Sequence, residues 1–147
     1  MDARRLALRN HVYRRFVELG RAPTLAEIAA ELALSLEEAE AGLRELHDAH
    51  ALVLERDRPE IRMANPFSAV PTSHRVEAGG RSWYASCAWD AFGIPAALDT
   101  DGHVASSCPD CGEAIEIDVV ARRPVPDRDV VHLLLPARRW WDDIVFT

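Results

Sequence analysis

The sequence contains no lysine, so all 17 of its basic residues are arginines. Its formal net charge is −7, which disfavours a general affinity for nucleic acid or for an anionic membrane surface. No apolar run approaches the length that crosses a bilayer, and the N-terminus leads into an amphipathic segment without a signal-peptide core. We therefore expect a cytoplasmic protein that binds neither nucleic acid nor membrane.

Cysteine is scarce as well, with only Cys87, Cys108 and Cys111 in the chain. An odd number of cysteines in a chain without a secretory leader argues against a disulfide framework. Free thiols, a metal site and catalysis remain as uses for these side chains. With 147 residues, of which 48% are hydrophobic, the chain is long enough for one ordinary domain or two small ones.

The first half of the chain predicts three helices followed by a hairpin. Residues 2–19 carry apolar side chains at helical spacing. Two capping-box patterns, each a serine or threonine followed three residues later by a glutamate, predict further helices that start after Thr24 and Ser35. Residues 51–63 then fit two short strands around a charged turn. This order is typical of a winged helix, and it predicts a winged-helix-like helical domain at residues 1–64.

The third helix of this domain is acidic. In a DNA-binding winged helix it would enter the major groove and need basic or amide side chains toward phosphates and bases. Here it carries four glutamates against one arginine, Arg44, and residues 1–65 hold 10 Arg against 12 Asp and Glu, a net charge of −2. We therefore prefer a helical module packed on its neighbour. A metal- or thiol-responsive winged-helix regulator is the competing hypothesis.

The second half, residues 65–147, predicts a mixed, β-rich domain with one buried helix. A segment with two prolines opens it, and two strands follow around a turn at Gly79. A helix is predicted from about Cys87 to Ile94, ahead of a proline. The whole chain is therefore expected to be α+β. Further strands are predicted at residues 103–106, 114–120, 130–134 and 144–146.

The most informative pair in the sequence is Cys87 and Asp90. The surrounding segment, 82–95, is otherwise mostly apolar or small, and a helix beginning at about Cys87 places the thiol and the carboxylate on one face. A helix start lowers the pKa of a thiol, whereas Asp90 would oppose this as an anion or carry a proton if burial kept it protonated. The alternative is a buried cysteine that serves only packing.

Cys108 and Cys111 lie in the string SSCPDCG, which resembles one zinc knuckle because a Cys-x-x-Cys turn lets two thiolates bind one soft ion. A closed tetrahedral zinc site would need two further ligands. A redox dithiol is the weaker alternative, since the motif lies between strands and not in a thioredoxin-like context. The candidates for the further zinc ligands are Cys87, His74, His103 and His132.

Four linked strings, NPFSAVPTSHRV, GGRSWYASCAWDAFGIPAAL, SSCPDCG and RRWWDDIVFT, together resemble the organomercurial (alkylmercury) lyase family. The resemblance covers nearly the whole chain, because that family also has an N-terminal winged-helix-like domain before a mixed, β-rich core. Its most specific part is a motif of tyrosine, alanine, any residue, cysteine, alanine, any residue and aspartate, which runs here from Tyr84 to Asp90. The resemblance implies the same fold for this chain, an alkylmercury-lyase-like core at residues 65–147.

The same resemblance implies protonolysis of a carbon–mercury bond by two cysteines and one aspartate. On that pattern Cys87 binds mercury as a thiolate, and Asp90 carries a proton to the departing carbon. Mercury(II) is a soft ion that prefers thiolates, and sulfur coordination makes the carbon easier to protonate. The implied partner is a small organomercurial or a metal ion, with mercury(II) as substrate or product ion and no cofactor required.

The family pattern places its second catalytic cysteine directly after the string WWDDIVFT, where this sequence ends at Thr147. We expect a short form of the family, a truncated sequence or a changed activity. Cys108 corresponds to a family cysteine regarded as structural, whereas Cys111 is an addition, and either could supply a second metal-binding thiol if its loop folds toward Cys87. A third hypothesis is a non-catalytic protein with the lyase fold and structural zinc at Cys108 and Cys111.

Overall fold

The computed structural model describes residues 2–145 and places three helices ahead of an antiparallel sheet, into which a fourth helix is inserted. The helices are α1 (Ala3–Leu19), α2 (Leu25–Leu32), α3 (Leu36–Asp48) and α4 (Ala88–Leu98), with a 3-10 helix at Ala137–Asp142. The strands are β1 (Val53–Leu54), β2 (Ile61–Ala64), β3 (Phe67–Ser68), β4 (Arg75–Ala78), β5 (Arg81–Ala85), β6 (Gly102–Ser107), β7 (Ala114–Val120) and β8 (Arg123–Val125). Within this described range, no helix is both long and apolar enough to cross a membrane.

Both predicted capping boxes are present at the starts of α2 and α3. Thr24 Oγ1 accepts a hydrogen bond from the Glu27 amide at 3.2 Å, and the Glu27 carboxylate accepts one from the Thr24 amide at 2.8 Å. Ser35 and Glu38 make the corresponding bonds at 3.1 and 2.9 Å. Because each box provides acceptors for amides that the first helical turn leaves without partners, these local signals fix where the helices start.

An eight-stranded sheet in the order β1-β2-β3-β5-β4-β6-β7-β8 joins the two halves of the described chain. Every neighbouring pair in it is antiparallel. Strand β3 pairs with β2 on one side and with β5 on the other, so backbone hydrogen bonding continues past residues 64 and 65. The α+β class is confirmed. The division into domains 1–64 and 65–147 stays a prediction.

The helices and the sheet share a hydrophobic core. Phe16 of α1, Phe67 of β3 and Trp83 of β5 are all buried, and the rings of Phe16 and Phe67 stack with 5.5 Å between their centroids. The indole Nε1 of Trp83 donates a hydrogen bond to the carbonyl of Phe16 at 2.9 Å. A buried indole N–H needs such an acceptor, so this bond orients α1 on the sheet as well as adding to its packing.

Helix α4 begins directly after Cys87, as predicted, but it continues beyond the predicted end near Ile94 to Leu98. Pro95 lies inside the helix and is fully buried. Its ring packs so closely on β6 that a Cβ added at Gly102 would lie 2.8 Å from Pro95 Cγ. Tertiary packing therefore overrides the rule that a helix stops before proline.

The C-terminal segment differs from the prediction. Residues 130–134 form no strand, and the first two residues of the predicted strand at 144–146 lie in a turn, while its last residue lies outside the described range. The predicted strands at 103–106 and 114–120 are present as β6 and β7. Strand β8, which the sequence did not predict, pairs with β7 and so occupies the edge where a later strand could have bonded. An apolar, β-branched run forms a strand only where a partner is available.

Two tryptophans anchor this C-terminal segment. The ring of Trp141 stacks on that of His50 with 4.0 Å between centroids, which ties the segment to the residues after α3. The indole of Trp140 donates a hydrogen bond to the carbonyl of Leu135 at 2.9 Å. Residues 130–135 and Trp140 line the cavity described below together with residues of α4.

Candidate active site

The predicted pair of functional residues lies at the junction of β5 and α4. Strand β5 ends at Ala85, and Cys87 is the residue that caps α4, with an extended backbone conformation (φ −153°, ψ 178°). Its carbonyl accepts the amide of Ala91 at 3.0 Å, which is the first hydrogen bond of the helix. Since its side chain makes no capping bond to the helix backbone, the sulfur is available for other partners.

The structure brings Cys87 and Asp90 together as the spacing predicted. The thiol of Cys87 donates a hydrogen bond to Asp90 Oδ2 with a sulfur-to-oxygen distance of 3.5 Å. Both side chains are half-buried. A soft ligand and a proton-carrying group therefore share one small site, and any ion bound to the sulfur lies next to the carboxyl group.

Burial sets the protonation of this pair. It raises the pKa of the Cys87 thiol, and the amides of Asp90 and Trp89 at the helix start offset this only in part. Burial also raises the pKa of Asp90, against a smaller opposing effect of the thiol hydrogen bond. The sequence left open whether the helix start or its opposing effects decide the pKa of Cys87. In the folded chain, desolvation of the charged form outweighs the helix amides. The free site favours a thiol over a thiolate and retains a proton on Asp90 to higher pH than an exposed aspartate would.

Helix α1 supplies residues near Asp90 that the sequence analysis missed. Burial raises the pKa of Tyr13, and the neighbouring Asp90 carboxylate raises it further, whereas the cation of Arg9, 4.5 Å from the centre of the Tyr13 ring, lowers it. The Tyr13 hydroxyl donates to the carbonyl of Asn65 at 3.0 Å. No local pattern could reveal this group, because Tyr13 and Asp90 are far apart in the sequence and meet only through the packing of α1 on the sheet.

Beside α4 lies a cavity of about 740 Å³ with a mostly apolar lining. Cys87 and Phe92 line it from α4, Cys108 from the end of β6, and Trp140 from the 3-10 helix. His74 also faces it; its Nδ1 is 2.8 Å from Ser106 Oγ, and burial lowers the His74 pKa, which favours the neutral imidazole. The cavity therefore offers an apolar chamber with two cysteines in its wall.

Cys108 and Cys111 occupy the hairpin between β6 and β7, and neither is in a disulfide. Cys108 is half-buried and Cys111 is exposed. Hydrogen bonds from the amides of Cys111 and Asp110 lower the pKa of the Cys108 thiol, which is the opposite of the shift at Cys87. Cys108 thus shares the cavity with Cys87, whereas Cys111 is not among the residues that line it.

The further ligands expected for zinc do not gather around this cysteine pair. His103 is held by carboxylates of Asp118 and Glu116, each at 2.7 Å, and His74 is paired with Ser106. Across residues 2–145, no group of three or more His, Cys, Asp and Glu side chains is placed to hold a metal ion. Since structural zinc takes four ligands, the described residues do not fit a closed zinc site.

Comparisons with known proteins agree with this architecture. The family model described as MerB, alkylmercury lyase, matches residues 67–147. An alkylmercury lyase of Staphylococcus epidermidis is 32% identical over 113 residues, which are 75% of this chain and 50% of the relative. The crystal structure of the mercury-bound form of MerB2 matches with a TM-score of 0.66 and 23% identity, covering 86% of this chain and 62% of that chain. The fold is thus shared, and the chain spans about half the length of the curated relative.

Proposed function

Because the chain belongs to the alkylmercury lyase family, we propose that it binds mercury species through Cys87 and cleaves carbon–mercury bonds by protonolysis with Asp90 as the proton carrier. The observation that carries this proposal is the 3.5 Å contact between Cys87 Sγ and Asp90 Oδ2 at the edge of an apolar cavity. The substrate is a small organomercurial, mercury(II) is the product ion, and no cofactor is required. A cytoplasmic location and the absence of nucleic acid and membrane partners stay predictions.

Binding starts from a protonated thiol. The soft mercury atom of the substrate bonds to Cys87 Sγ, and the proton of the thiol moves to Asp90, which already accepts its hydrogen bond. The original ligand of mercury leaves as an anion. The raised pKa of Asp90 supports this step, because burial makes its carboxylate a better proton acceptor than an exposed aspartate.

Cleavage then uses the same proton. Asp90 delivers it to the carbon bonded to mercury, the carbon–mercury bond breaks, and the hydrocarbon departs while mercury(II) stays on sulfur. The contact with Cys87 keeps Asp90 next to the mercury ligand, which is the position that a general acid for this carbon must occupy. A second thiolate on mercury, from a dissolved thiol or from the protein, weakens the carbon–mercury bond further.

The apolar cavity is the proposed place for the organic group. Its volume of about 740 Å³ accommodates a small alkyl or aryl group, and Phe92 and Trp140 contribute aromatic surface to its wall. This supports a substrate whose organic part is apolar.

The test is incubation with an organomercurial and excess thiol, followed by measurement of the released hydrocarbon. We expect the parent protein to release hydrocarbon and Cys87→Ser to release none, because serine is a poor ligand for mercury. Asp90→Asn should retain mercury but release hydrocarbon at least about a hundredfold more slowly, since it has no proton to transfer. If the parent binds mercury through Cys87 and releases nothing, the chain is a mercury-binding protein with the lyase fold and the proposed activity is wrong.

A further inference from the structure

We propose that Cys108 and Cys111 form a second site, a two-thiolate clamp for a soft two-coordinate ion such as mercury(II), at the rim of the cavity that Cys87 lines. The clamp is the hairpin between β6 and β7, which is separate from the Cys87–Asp90 pair. Its capacity to bind the ion is independent of the proposed lyase activity. Its role as the acceptor of mercury released at Cys87 rests on that proposed function.

The backbone of the hairpin holds the two cysteines side by side. The amide of Cys108 donates to the carbonyl of Glu113 at 2.8 Å, and the amide of Gly112 donates to the carbonyl of Cys108 at 2.9 Å. Gly112 has φ +75°, a conformation that glycine adopts without strain, and the chain reverses direction there. The turn thus places the two cysteines three residues apart on one tight reversal of the chain, which is the spacing that lets two thiolates bind one soft ion.

The number of ligands selects the type of ion. No third His, Cys, Asp or Glu completes a metal-binding group at this pair among the residues that the structure describes. A tetrahedral zinc ion would remain half-coordinated there, whereas mercury(II) forms a stable complex with two thiolates. The clamp therefore fits a thiophilic ion of low coordination number, the same kind of ion that the proposed reaction produces.

The cavity connects the two sites. Cys87 and Cys108 both line it, and Cys111 lies beyond its wall and is exposed to solvent. Transfer is a ligand exchange without any redox change. Mercury(II) held by Cys87 carries one further ligand, such as a dissolved thiolate. Cys108 and Cys111 each lose a proton to solvent and bond to the ion in turn, the further ligand leaves as an anion, and Cys87 leaves as a thiolate that regains a proton from solvent. Mercury stays in its divalent state throughout and ends on the exposed side of the protein.

The test is a titration of the protein with mercury(II) alone, monitored by the ultraviolet charge-transfer absorption of mercury–thiolate bonds. A monothiol is then added as a competitor, and its concentration at half loss of the signal is compared between variants. We expect Cys87→Ser, which keeps both hairpin cysteines, to retain one mercury(II) per chain. Removing that ion should take at least about tenfold more competitor than removing it from Cys108→Ser/Cys111→Ser, because two thiolates on one hairpin act as a chelate. The double variant Cys87→Ser/Cys111→Ser is the matched control. It keeps Cys108 in its environment and should bind mercury only as a monothiol does.

Two outcomes separate this inference from the proposed function. If Cys87→Ser loses mercury as easily as the double variant Cys87→Ser/Cys111→Ser does, the clamp does not exist. This conclusion holds whether or not the parent protein cleaves an organomercurial. If Cys87→Ser retains mercury tightly while the parent releases no hydrocarbon, the clamp stands and the lyase proposal falls. With both activities present, Cys111→Ser in an otherwise unchanged chain should pass the product ion to an external dithiol more slowly than the parent does.

Discussion

At the residue scale, the chemistry depends on how deeply Cys87 and Asp90 are placed at the start of α4. Both groups have a raised pKa for the same reason, which is that partial burial disfavours their charged forms. A mercury ion changes this balance, because bonding to sulfur replaces the proton that burial would otherwise retain. The free site therefore stores the proton that the proposed reaction consumes.

The raised pKa of Asp90 also predicts how stability varies with pH. The pKa of the Asp90 carboxyl group is higher in the folded chain than its ordinary value of 3.8. Such a group contributes its full stabilisation to the fold at pH values below 3.8. This contribution is lost as the pH rises through the folded pKa, because the ionised carboxylate is then half-buried. Asp90→Asn removes the ionisation while keeping an acceptor for the Cys87 thiol.

We therefore expect Asp90→Asn to melt at a higher temperature than the parent near pH 7, with the difference shrinking as the pH is lowered toward 3.8. The measurement is thermal unfolding by circular dichroism at several pH values. The exposed, same-sized change Asp101→Asn is the control for the loss of one negative charge. A lower melting temperature for Asp90→Asn at neutral pH would contradict the assigned protonation.

At the scale of elements, the position of α4 on the sheet decides where the Cys87–Asp90 pair lies. The helix packs on β6 through Pro95 and Gly102, and on the segment before β3 through Gly93, where an added Cβ would lie 3.2 Å from Pro66 Cβ. Cα atoms without side chains let the helix approach closely at both places. Small residues at these contacts therefore matter for the site without touching it.

Gly102→Ala tests this packing. Its Cβ would lie 2.8 Å from Pro95 Cγ and 3.1 Å from the carbonyl oxygen of Glu77, and neither atom belongs to a flexible side chain that can move away. We expect a loss of about 1–3 kcal/mol in the free energy of unfolding, as is usual for overpacking. Chemical denaturation gives this value.

Ala97→Ser is the matched control. Ala97 lies on the exposed side of α4, the helix that packs on Gly102, so this change should alter the free energy of unfolding by less than about 0.5 kcal/mol. A Gly102→Ala variant as stable as the parent would show that the contact between α4 and β6 is looser than the distances indicate.

At the scale of the whole molecule, charge argues against a DNA-binding role for the N-terminal helices. The net charge of the chain is −7, and arginines near α3 are engaged by its glutamates: Arg5 with Glu45 at 2.8 Å and Arg44 with Glu40 at 2.7 Å. Phosphate binding needs unpaired cations along one face. Helix α3 instead presents exposed acidic residues, and α1 is buried against the sheet through Phe16.

We therefore expect no DNA shift in a gel assay with the parent protein, even at low salt, where nonspecific attraction is strongest. The assay should include the protein loaded with mercury(II), because a metal-responsive regulator would bind DNA in only one of the two states. A salt-dependent shift in either state would support the regulator hypothesis over a purely enzymatic role.

The sequence alone determined the features that depend on neighbouring residues. Thr24 and Ser35 marked two helix starts because a capping box is built from residues three apart, and the spacing of Cys87 and Asp90 placed them on one face of a helix turn. The family motifs in the second half pointed to the fold that the comparisons confirm. These signals work because their partners are close in the chain.

Tertiary structure decided everything that depends on burial and on distant partners. It set the direction of the Cys87 pKa shift through burial and brought Tyr13 near Asp90. It also paired β8 with β7, while residues 130–134 form no strand. It also placed Cys87 and Cys108 in one cavity. A local pattern carries no information on how much water a side chain loses on folding or on which strand pairs with a sheet edge, and the chemistry of this site depends on both.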